Sequence, residues 1–187
     1  MLILASASPR RREILTDLGY RFECIAADAD ESLLPGTKGY DAVYELSLRK
    51  ASAVAKLRPD DVILASDTVV AVDGEILGKP HGRDEARDML CRLSGRRHTV
   101  YTGVCILSGD KCERFVSSAE VEFYPLEAEL IERYLDTSEP YDKAGAYGIQ
   151  GKGAVLVRKI DGDYFTVMGL PAAEVYRALK KFQILPQ

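Results

Sequence analysis

Residues 2–15, LILASASPRRREIL, decide how the fold of this chain begins. The apolar run 2–5 is typical of a buried strand, and the small residues after it predict a tight loop. Ser8 is a preferred helix N-cap, and Pro9 suits the first helical position, where a missing backbone N–H costs nothing. The stretch therefore predicts a strand, a tight loop and a helix in succession.

The three arginines at 10–12 are unusual for the first turn of a helix. The positive end of the helix dipole disfavours cations there by roughly 0.3–1 kcal/mol each. A bound anion would remove this penalty, because free backbone N–H groups, serine hydroxyls and arginine forks together form a phosphate cradle. The alternative is that the arginines are solvated surface residues, and this stretch alone does not separate the two interpretations.

The composition is that of an ordinary globular protein. The chain has 187 residues, 47% of them hydrophobic and 29% charged, which excludes disorder and predicts a single domain over 1–187. It contains no apolar run near the ~18–20 residues that a membrane helix needs. The N-terminal stretch does not resemble an export signal, so we expect a cytoplasmic protein without a membrane partner.

The net charge and the counts of cysteine and histidine limit which ligands and catalytic residues are expected. A net charge of −4 disfavours a general nucleic-acid binder, which needs an extended basic face. The four cysteines, at 24, 91, 105 and 112, lack metal-ligand spacing and predict buried free thiols rather than a zinc site or disulfides. With two histidines in the chain, carboxylates, lysines and arginines are expected to carry any chemistry.

One basic and several acidic residues stand out from their surroundings. A helix is predicted from Asp41, as its cap, to residue 57, and Lys50 falls on the apolar stripe of that helix. Such a lysine either extends its stem outward to solvent or points into an internal polar site. The loop with Asp28, Asp30 and Glu31 is either simply solvated or a ligand set for a divalent cation. The apolar stripe of the helix consists of Val43, Leu46, Val54 and Leu57.

Asp67 lies inside the apolar strand predicted for residues 62–72. Aspartate is depleted in strands and costly to bury unless it is paired or bound to a metal, so a functional role is favoured. The strand turns at Asp73-Gly74, a strong hairpin signal, into residues 75–77. Lys79 follows, held at a bend between glycine and proline.

The remaining patterns complete the expected order of elements. The loop 139–151 is too rich in glycine and charge for the core, and backbone approach to a ligand would explain it. The other expected elements are a strand over 21–25, a helix between Gly82 and Gly95, a long hairpin of 99–107 with 113–124, a helix opened by Glu127, a hairpin of 155–160 with 164–168, and a last helix opened by Pro171.

Taken together, these residues resemble the Maf septum-formation family of nucleoside triphosphate pyrophosphatases, in order along nearly the whole chain. The resemblance rests on Ser6-Ala7-Ser8-Pro9-Arg10-Arg11, Glu31, Lys50-Ala51, Ser66-Asp67-Thr68-Val69-Val70, Gly78-Lys79-Pro80, Thr102-Gly103, residues 139–151 beginning Glu139-Pro140, and Gly169-Leu170-Pro171.

The resemblance implies an α/β fold similar to inosine triphosphate pyrophosphatases, with a mixed twisted sheet, flanking helices and two lobes around a central cleft. It implies hydrolysis of a nucleoside triphosphate substrate to the monophosphate and pyrophosphate, a divalent cation (Mg or Mn) and a homodimer. Asp67 would be the proton acceptor, and the implied substrate or metal contacts are Ser6, Arg11, Glu31, Lys50, Lys79 and Lys143. We assign Glu31, with Asp67, to the cation, because hard cations favour oxygen donors.

Three positions separate the branches of the family. The branch that acts on dTTP and UTP has arginine, threonine and glutamine where this chain has Arg10, Thr68 and Gln150. The resemblance therefore implies a dTTP/UTP pyrophosphatase with a house-cleaning role and a link to arrest of cell division. The alternative is a nucleotide-binding regulator of septum formation that does not turn its ligand over.

Overall fold

A computed structural model describes all 187 residues as one mixed sheet with helices on both faces. The strands are β1 (Leu2–Leu4), β2 (Glu23–Cys24), β3 (Val62–Val72), β4 (Glu75–Leu77), β5 (Arg97–Ser108), β6 (Lys111–Phe123) and β7 (Val157–Gly162). The helices are α1 (Pro9–Asp17), α2 (Gly39–Ala55), α3 (Arg83–Leu93), α4 (Ala128–Leu135), α5 (Tyr164–Met168) and α6 (Ala172–Lys181). Three 3-10 turns cover Glu139–Asp142, Ala144–Ala146 and Gly151–Leu156. None of the helices combines the length and apolar character that crossing a membrane requires.

The strand order confirms the predicted mixed α/β class. The sheet runs β2-β1-β3-β5-β6-β7, with β4 paired to β3. β1 is parallel to β2 and β3, whereas the remaining pairs are antiparallel. The long strands β3, β5 and β6 form its centre.

Two apolar cores lie on one face of the sheet, at opposite ends of the long strands. One packs α3 and α4 against residues such as Val70 and Val100, and the other packs α1 and α6 against residues such as Leu64 and Val104. Side chains on one face repeat every second residue, so the band between the cores includes Thr68 of β3. These cores are the two lobes that the resemblance implied, and both are built on the same strands.

The cleft follows from incomplete pairing along one edge of β3. β1 pairs with Val62–Leu64 and β4 pairs with Val70–Val72, so residues between these two segments have no strand neighbour on that side. Asp67 lies in this gap. On its other edge it is fixed by pairing with Gly103 of β5.

The helix α2 packs closely over the opposite face of the sheet. A Cβ at Gly103 would stand 2.2 Å from the carbonyl oxygen of Val43, so a side chain there would push the helix away. Because α2 lies this close to the sheet, its residue Lys50 reaches Asp67 of β3. The start of α2 differs from the prediction: Lys38 occupies the N-cap and Asp41 lies in the first turn. Leu57 lies beyond the helix end and is 69% exposed.

Most predicted elements are confirmed, including the β3–β4 and β5–β6 hairpins and the starts of α1, α3, α4 and α6. The predicted hairpin of 155–160 with 164–168 is wrong. β7 pairs with β6, and residues 164–168 form α5, because the Asp163 carboxylate caps that helix by accepting from the Thr166 N–H at 2.7 Å. The strand expected at 21–25 is limited to Glu23–Cys24.

Two expectations about burial need correction. The segment 139–151 does contribute to the core, because Ala146 and Tyr147 pack among its buried residues. The cysteines are free as expected, but only Cys105 is buried, and its burial raises the pKa of that thiol to about 12.

Candidate active site

A cavity of about 660 Å³ opens at the unpaired edge of β3, between the two lobes. It gathers residues from the β1–α1 loop, α1, the acidic loop, α2, β3, the bend after β4 and the segment 139–151. All but one of the site residues predicted from the sequence line it: Ser6, Arg10, Arg11, Glu31, Lys50, Asp67, Thr68, Lys79 and Lys143.

Lys50 lies between two carboxylates. Its Nζ donates to Glu31 Oε1 at 2.9 Å and to Asp67 Oδ1. The side chains of Lys50 and Asp67 are 13% and 11% exposed, so the pair is largely enclosed. The hydrogen bond from Lys50 outweighs desolvation and holds the pKa of Glu31 below its usual value. Of the two interpretations of Lys50, the structure supports the internal polar site.

Arg11 is fixed by hydrogen bonds from all three guanidinium nitrogens. Nε donates to the Gly169 carbonyl at 2.9 Å, Nη2 to Thr68 Oγ1 at 3.1 Å and Nη1 to Ser6 Oγ at 3.4 Å. Burial lowers the pKa of Arg11, and the nearby Asp67 carboxylate opposes that shift. Because guanidinium stays charged in proteins, the site keeps a buried, oriented cation. The adjacent Arg12 is exposed, so only part of the arginine run serves the cavity.

Arg10 and Asp142 face each other across the mouth of the cavity, with Nη1 and Oδ2 3.9 Å apart. Lys143 Nζ donates to Asp142 Oδ1 at 2.6 Å and to the carbonyl oxygen of Glu139 at 2.7 Å. Desolvation opposes the shift, but the Lys143 hydrogen bond keeps the pKa of Asp142 below its usual range. Asp142 was not predicted; its position beside Lys143 in the glycine-rich segment was the available signal.

The bend carrying Lys79 is tied to the segment 139–151. The Gly145 N–H donates to the Gly78 carbonyl at 3.0 Å, and Gly145 has a positive φ of 68°. A Cβ at Gly145 would lie 3.0 Å from Val70, so the backbone needs glycine for space as well as for conformation. Lys79 is exposed at the cavity wall, where its charge helps to lower the pKa of Glu31.

Gln150 is the predicted residue that the structure does not bring into the cavity. Its neighbours Tyr147, Gly148 and Ile149 line the wall, while Gln150 stands at the N-cap of the last 3-10 turn. The substrate-specificity role that the resemblance implies for Gln150 therefore has no support from its position outside the cavity lining.

His98 lies behind this wall and was not predicted. Its Nε2 is 2.8 Å from the hydroxyl of Tyr147, while Nδ1 is buried without a hydrogen-bond partner. Burial lowers the pKa of His98 to about 4, so the imidazole is neutral at pH 7. Tyr147 lines the cavity, so His98 supports the wall from the core side.

The carboxylates of Glu31 and Asp67 fit a divalent cation. Both oxygens approach the same Lys50 ammonium, which marks a point where positive charge is stabilised. No group of three or more Asp, Glu, His or Cys side chains is arranged as a metal cage. Mg²⁺ is commonly bound by one or two carboxylates together with substrate phosphates, so this pair matches that type of site.

Comparisons with known proteins agree with the motifs. The Maf-like protein family model matches residues 1–182. A "dTTP/UTP pyrophosphatase" of Bacillus velezensis is 52% identical over 183 residues, covering 98% of this chain and 97% of the relative. Proteins of the same name from Bacillus cereus and Bacillus anthracis are each 47% identical, covering 98% of this chain and 96% of the relative.

Among solved structures, the Staphylococcus aureus Ham1 protein is similar at 16% sequence identity with a TM-score of 0.48, covering 99% of this chain and 91% of that one. The family model and the bacterial relatives each extend over almost the full length, and the motif residues converge on one cavity. The chain belongs to the Maf-like protein family.

Proposed function

We propose that this protein is a nucleoside triphosphate pyrophosphatase that hydrolyses dTTP and UTP to the monophosphate and pyrophosphate. The observation that carries the proposal is that Arg11, Lys50, Lys79 and Lys143 line the same cavity as Asp67. Catalysis of phosphoryl transfer is mainly positioning and neutralisation of phosphate charge, and this arrangement supplies both. The names of the Bacillus relatives support the choice of dTTP and UTP.

Hydrolysis requires a water aligned with the α-phosphorus. Asp67 accepts a proton from this water as the new bond from oxygen to the α-phosphorus forms. The bond from the α-phosphorus to the bridging oxygen breaks, and pyrophosphate leaves with that oxygen. The proposal gives Asp67 this role because it is the enclosed carboxylate in the unpaired gap of β3.

The basic side chains and a divalent cation would each bind a different part of the triphosphate. Arg11 is already oriented by Ser6, Thr68 and Gly169, so it can meet a phosphate oxygen without rearrangement of its fork. Lys50, whose Nζ contacts Glu31 and Asp67 at the cavity wall, would contribute its charge to the phosphates, and the two carboxylates would hold a divalent cation. A bound Mg²⁺ or Mn²⁺ would neutralise phosphate charge and lower the pKa of the attacking water.

Base selection rests on the wall formed by Thr68 and residues 147–149. Backbone groups of this wall can pair with the alternating acceptors and donors of the uracil or thymine edge. A mismatched edge leaves polar groups unpaired at ~1–3 kcal/mol each. We therefore expect dTTP and UTP to be cleaved at least ~10-fold more efficiently than CTP or ATP.

The test is a panel of nucleoside triphosphates assayed for pyrophosphate release with Mg²⁺ and with Mn²⁺. Release of pyrophosphate and monophosphate, with dTTP and UTP preferred, supports the proposal. Similar kcat/KM values for all nucleotides contradict the pyrimidine preference and leave the pyrophosphatase reaction standing. Binding of dTTP without pyrophosphate release favours the non-catalytic regulator instead.

A further inference from the structure

Glu139 begins the segment 139–151, which together with residues 152–153 makes up the segment 139–153. Glu139 does not line the cavity. Each oxygen of its half-buried carboxylate accepts a backbone N–H from the far end of the segment: Oε1 from Lys152 at 3.0 Å and Oε2 from Gly153 at 3.2 Å. Its own carbonyl oxygen accepts from Lys143 Nζ at 2.7 Å. One residue thus holds both ends of the segment and one cavity lysine.

Tyr134 of α4 extends the same set of contacts to the cavity wall. Its hydroxyl accepts from the Gly148 N–H at 3.1 Å. Burial and, less strongly, the charge of the Glu139 carboxylate raise the pKa of this phenol. Gly148 lines the cavity, so Glu139 and Tyr134 together determine where that stretch of wall lies.

The glycines show that the backbone of this segment is tightly packed. A Cβ at Gly153 would lie 2.2 Å from the Gly148 carbonyl oxygen, and one at Gly148 would lie 2.9 Å from the Lys143 side chain. Gly151 has a positive φ of 65°, and a Cβ there would be 2.6 Å from Glu139 Oε1. The backbone is packed directly around the carboxylate, so a change at Glu139 is transmitted to Gly148 and Lys143.

We propose that Glu139 is a positioning residue for the nucleotide site: by holding residues 152–153 and Lys143, it places the Lys143 ammonium and the wall at Gly148. The inference rests on the proposed function, since it assigns this placement to triphosphate hydrolysis. It does not give Glu139 contact with the reacting atoms. Displacement of a positioned group by about 1 Å can lower the rate on the order of 10²-fold, so the effect is measurable.

Glu139→Gln tests this with little change in volume. The amide nitrogen would face one of the two N–H donors, so at least one hydrogen bond is lost. The matched control is Glu132→Gln in α4, whose carboxylate binds Arg83 and Arg87 away from the cavity. Glu139→Gln should lower kcat/KM for dTTP at least ~10-fold, with a raised KM, whereas the control stays within about twofold of wild type.

A double-mutant cycle with Tyr134→Phe separates positioning from simple loss of stability. If Glu139 and Tyr134 act on the same wall, the double variant loses no more than about twofold in kcat/KM beyond Glu139→Gln. Independent, multiplying losses overturn the proposal, as does an equal loss in Glu139→Gln and the Glu132→Gln control. If Glu139→Gln does not fold, Tyr134→Phe alone must raise the KM for dTTP without changing the melting temperature more than the control.

Hydrogen exchange distinguishes failure of this inference from failure of the proposed function. The amides of Gly148, Lys152 and Gly153 should lose protection in Glu139→Gln, and binding of inorganic triphosphate measured by calorimetry should weaken at least ~10-fold. If wild type releases no pyrophosphate, the proposed function fails while these two measurements still decide the placement. Unchanged exchange and unchanged triphosphate affinity overturn the role of Glu139 even in an active enzyme.

Discussion

Lys50 of α2 and Asp67 of β3 form an enclosed ion pair on the wall of the cavity. Glu31 contacts the same ammonium, so two carboxylates share one positive charge. Together they carry one more negative charge than Lys50 neutralises, and the charges of Arg11 and Lys79 also act on them. We infer that substrate brings its divalent cation to a site prepared for positive charge.

Asp67→Asn should abolish most turnover while the fold survives. The amide keeps the shape of the side chain but cannot accept the proton, and general-base groups contribute ~10²–10⁴-fold. Steady-state pyrophosphate release from dTTP measures the loss, and Asp110→Asn in the exposed β5–β6 turn is the control. A rate within a few-fold of wild type would show that Asp67 is not the base.

Lys50→Met should lower both activity and stability. The sequence alone predicts kept or raised stability, because methionine suits an apolar stripe, but the structure shows that the change leaves Asp67 without its partner. An enclosed acceptor without a partner costs about 1–3 kcal/mol. Denaturant unfolding of Lys50→Met, compared with Lys56→Met at the exposed end of α2, measures this cost.

Glu31 determines how the stability difference between wild type and Lys50→Met depends on pH. Its pKa is lowered from 4.5 mainly by the Lys50 hydrogen bond, so the contact stabilises the folded state fully above about pH 4.5 and is lost as the pH falls through the lowered value. We expect the stability gap between wild type and Lys50→Met to narrow below pH 4.5. A gap that widens in acid contradicts the pairing.

Arg11→Lys should raise the KM for dTTP at least ~10-fold, because an ammonium cannot reproduce the three-way fork to Gly169, Thr68 and Ser6. Arg12→Lys, on the exposed side of α1, should leave both KM and kcat unchanged. Equal effects of the two substitutions would mean that the arginine run acts only through its total charge.

His98→Gln should remove a pH-dependent part of the stability. The unfolded imidazole takes up a proton near pH 6.5, while burial lowers the folded pKa to about 4, so wild-type stability falls as pH decreases between these values. The full difference is about 3 kcal/mol. Unfolding free energies at pH 7 and pH 4.5 for wild type, His98→Gln and the exposed His81→Gln test this, and equal slopes would contradict it.

Local patterns predicted the elements well where one signal dominates. The Asp73-Gly74 turn and the start of α1 at Ser8-Pro9 are determined within a few residues, so the sequence carries them directly. The strand predicted for residues 164–168 was wrong because their aromatic and β-branched side chains favour a strand when only the local sequence is considered. The Asp163 cap and a hydrogen bond from Thr102 to the Thr166 carbonyl, 64 residues away, stabilise a helix instead.

The site could be predicted by residue type but not by arrangement. A lysine on an apolar stripe and an aspartate in a buried strand each violate a burial rule, which marks them without showing that they meet. Their pairing depends on the close contact of α2 with β5 at Gly103. Gly103 is the strand partner of Asp67 but lies 36 residues later in the chain. His98 breaks no local rule, and Asp142 was marked only by its position beside Lys143.

The long strands β3, β5 and β6 run through both apolar cores without interruption. Any movement of one lobe against the other would therefore have to bend the central strands of the sheet. We expect the loops and long side chains at the rim to open and close the cleft more easily. For the same reason the lobes should melt together, in one cooperative transition rather than two.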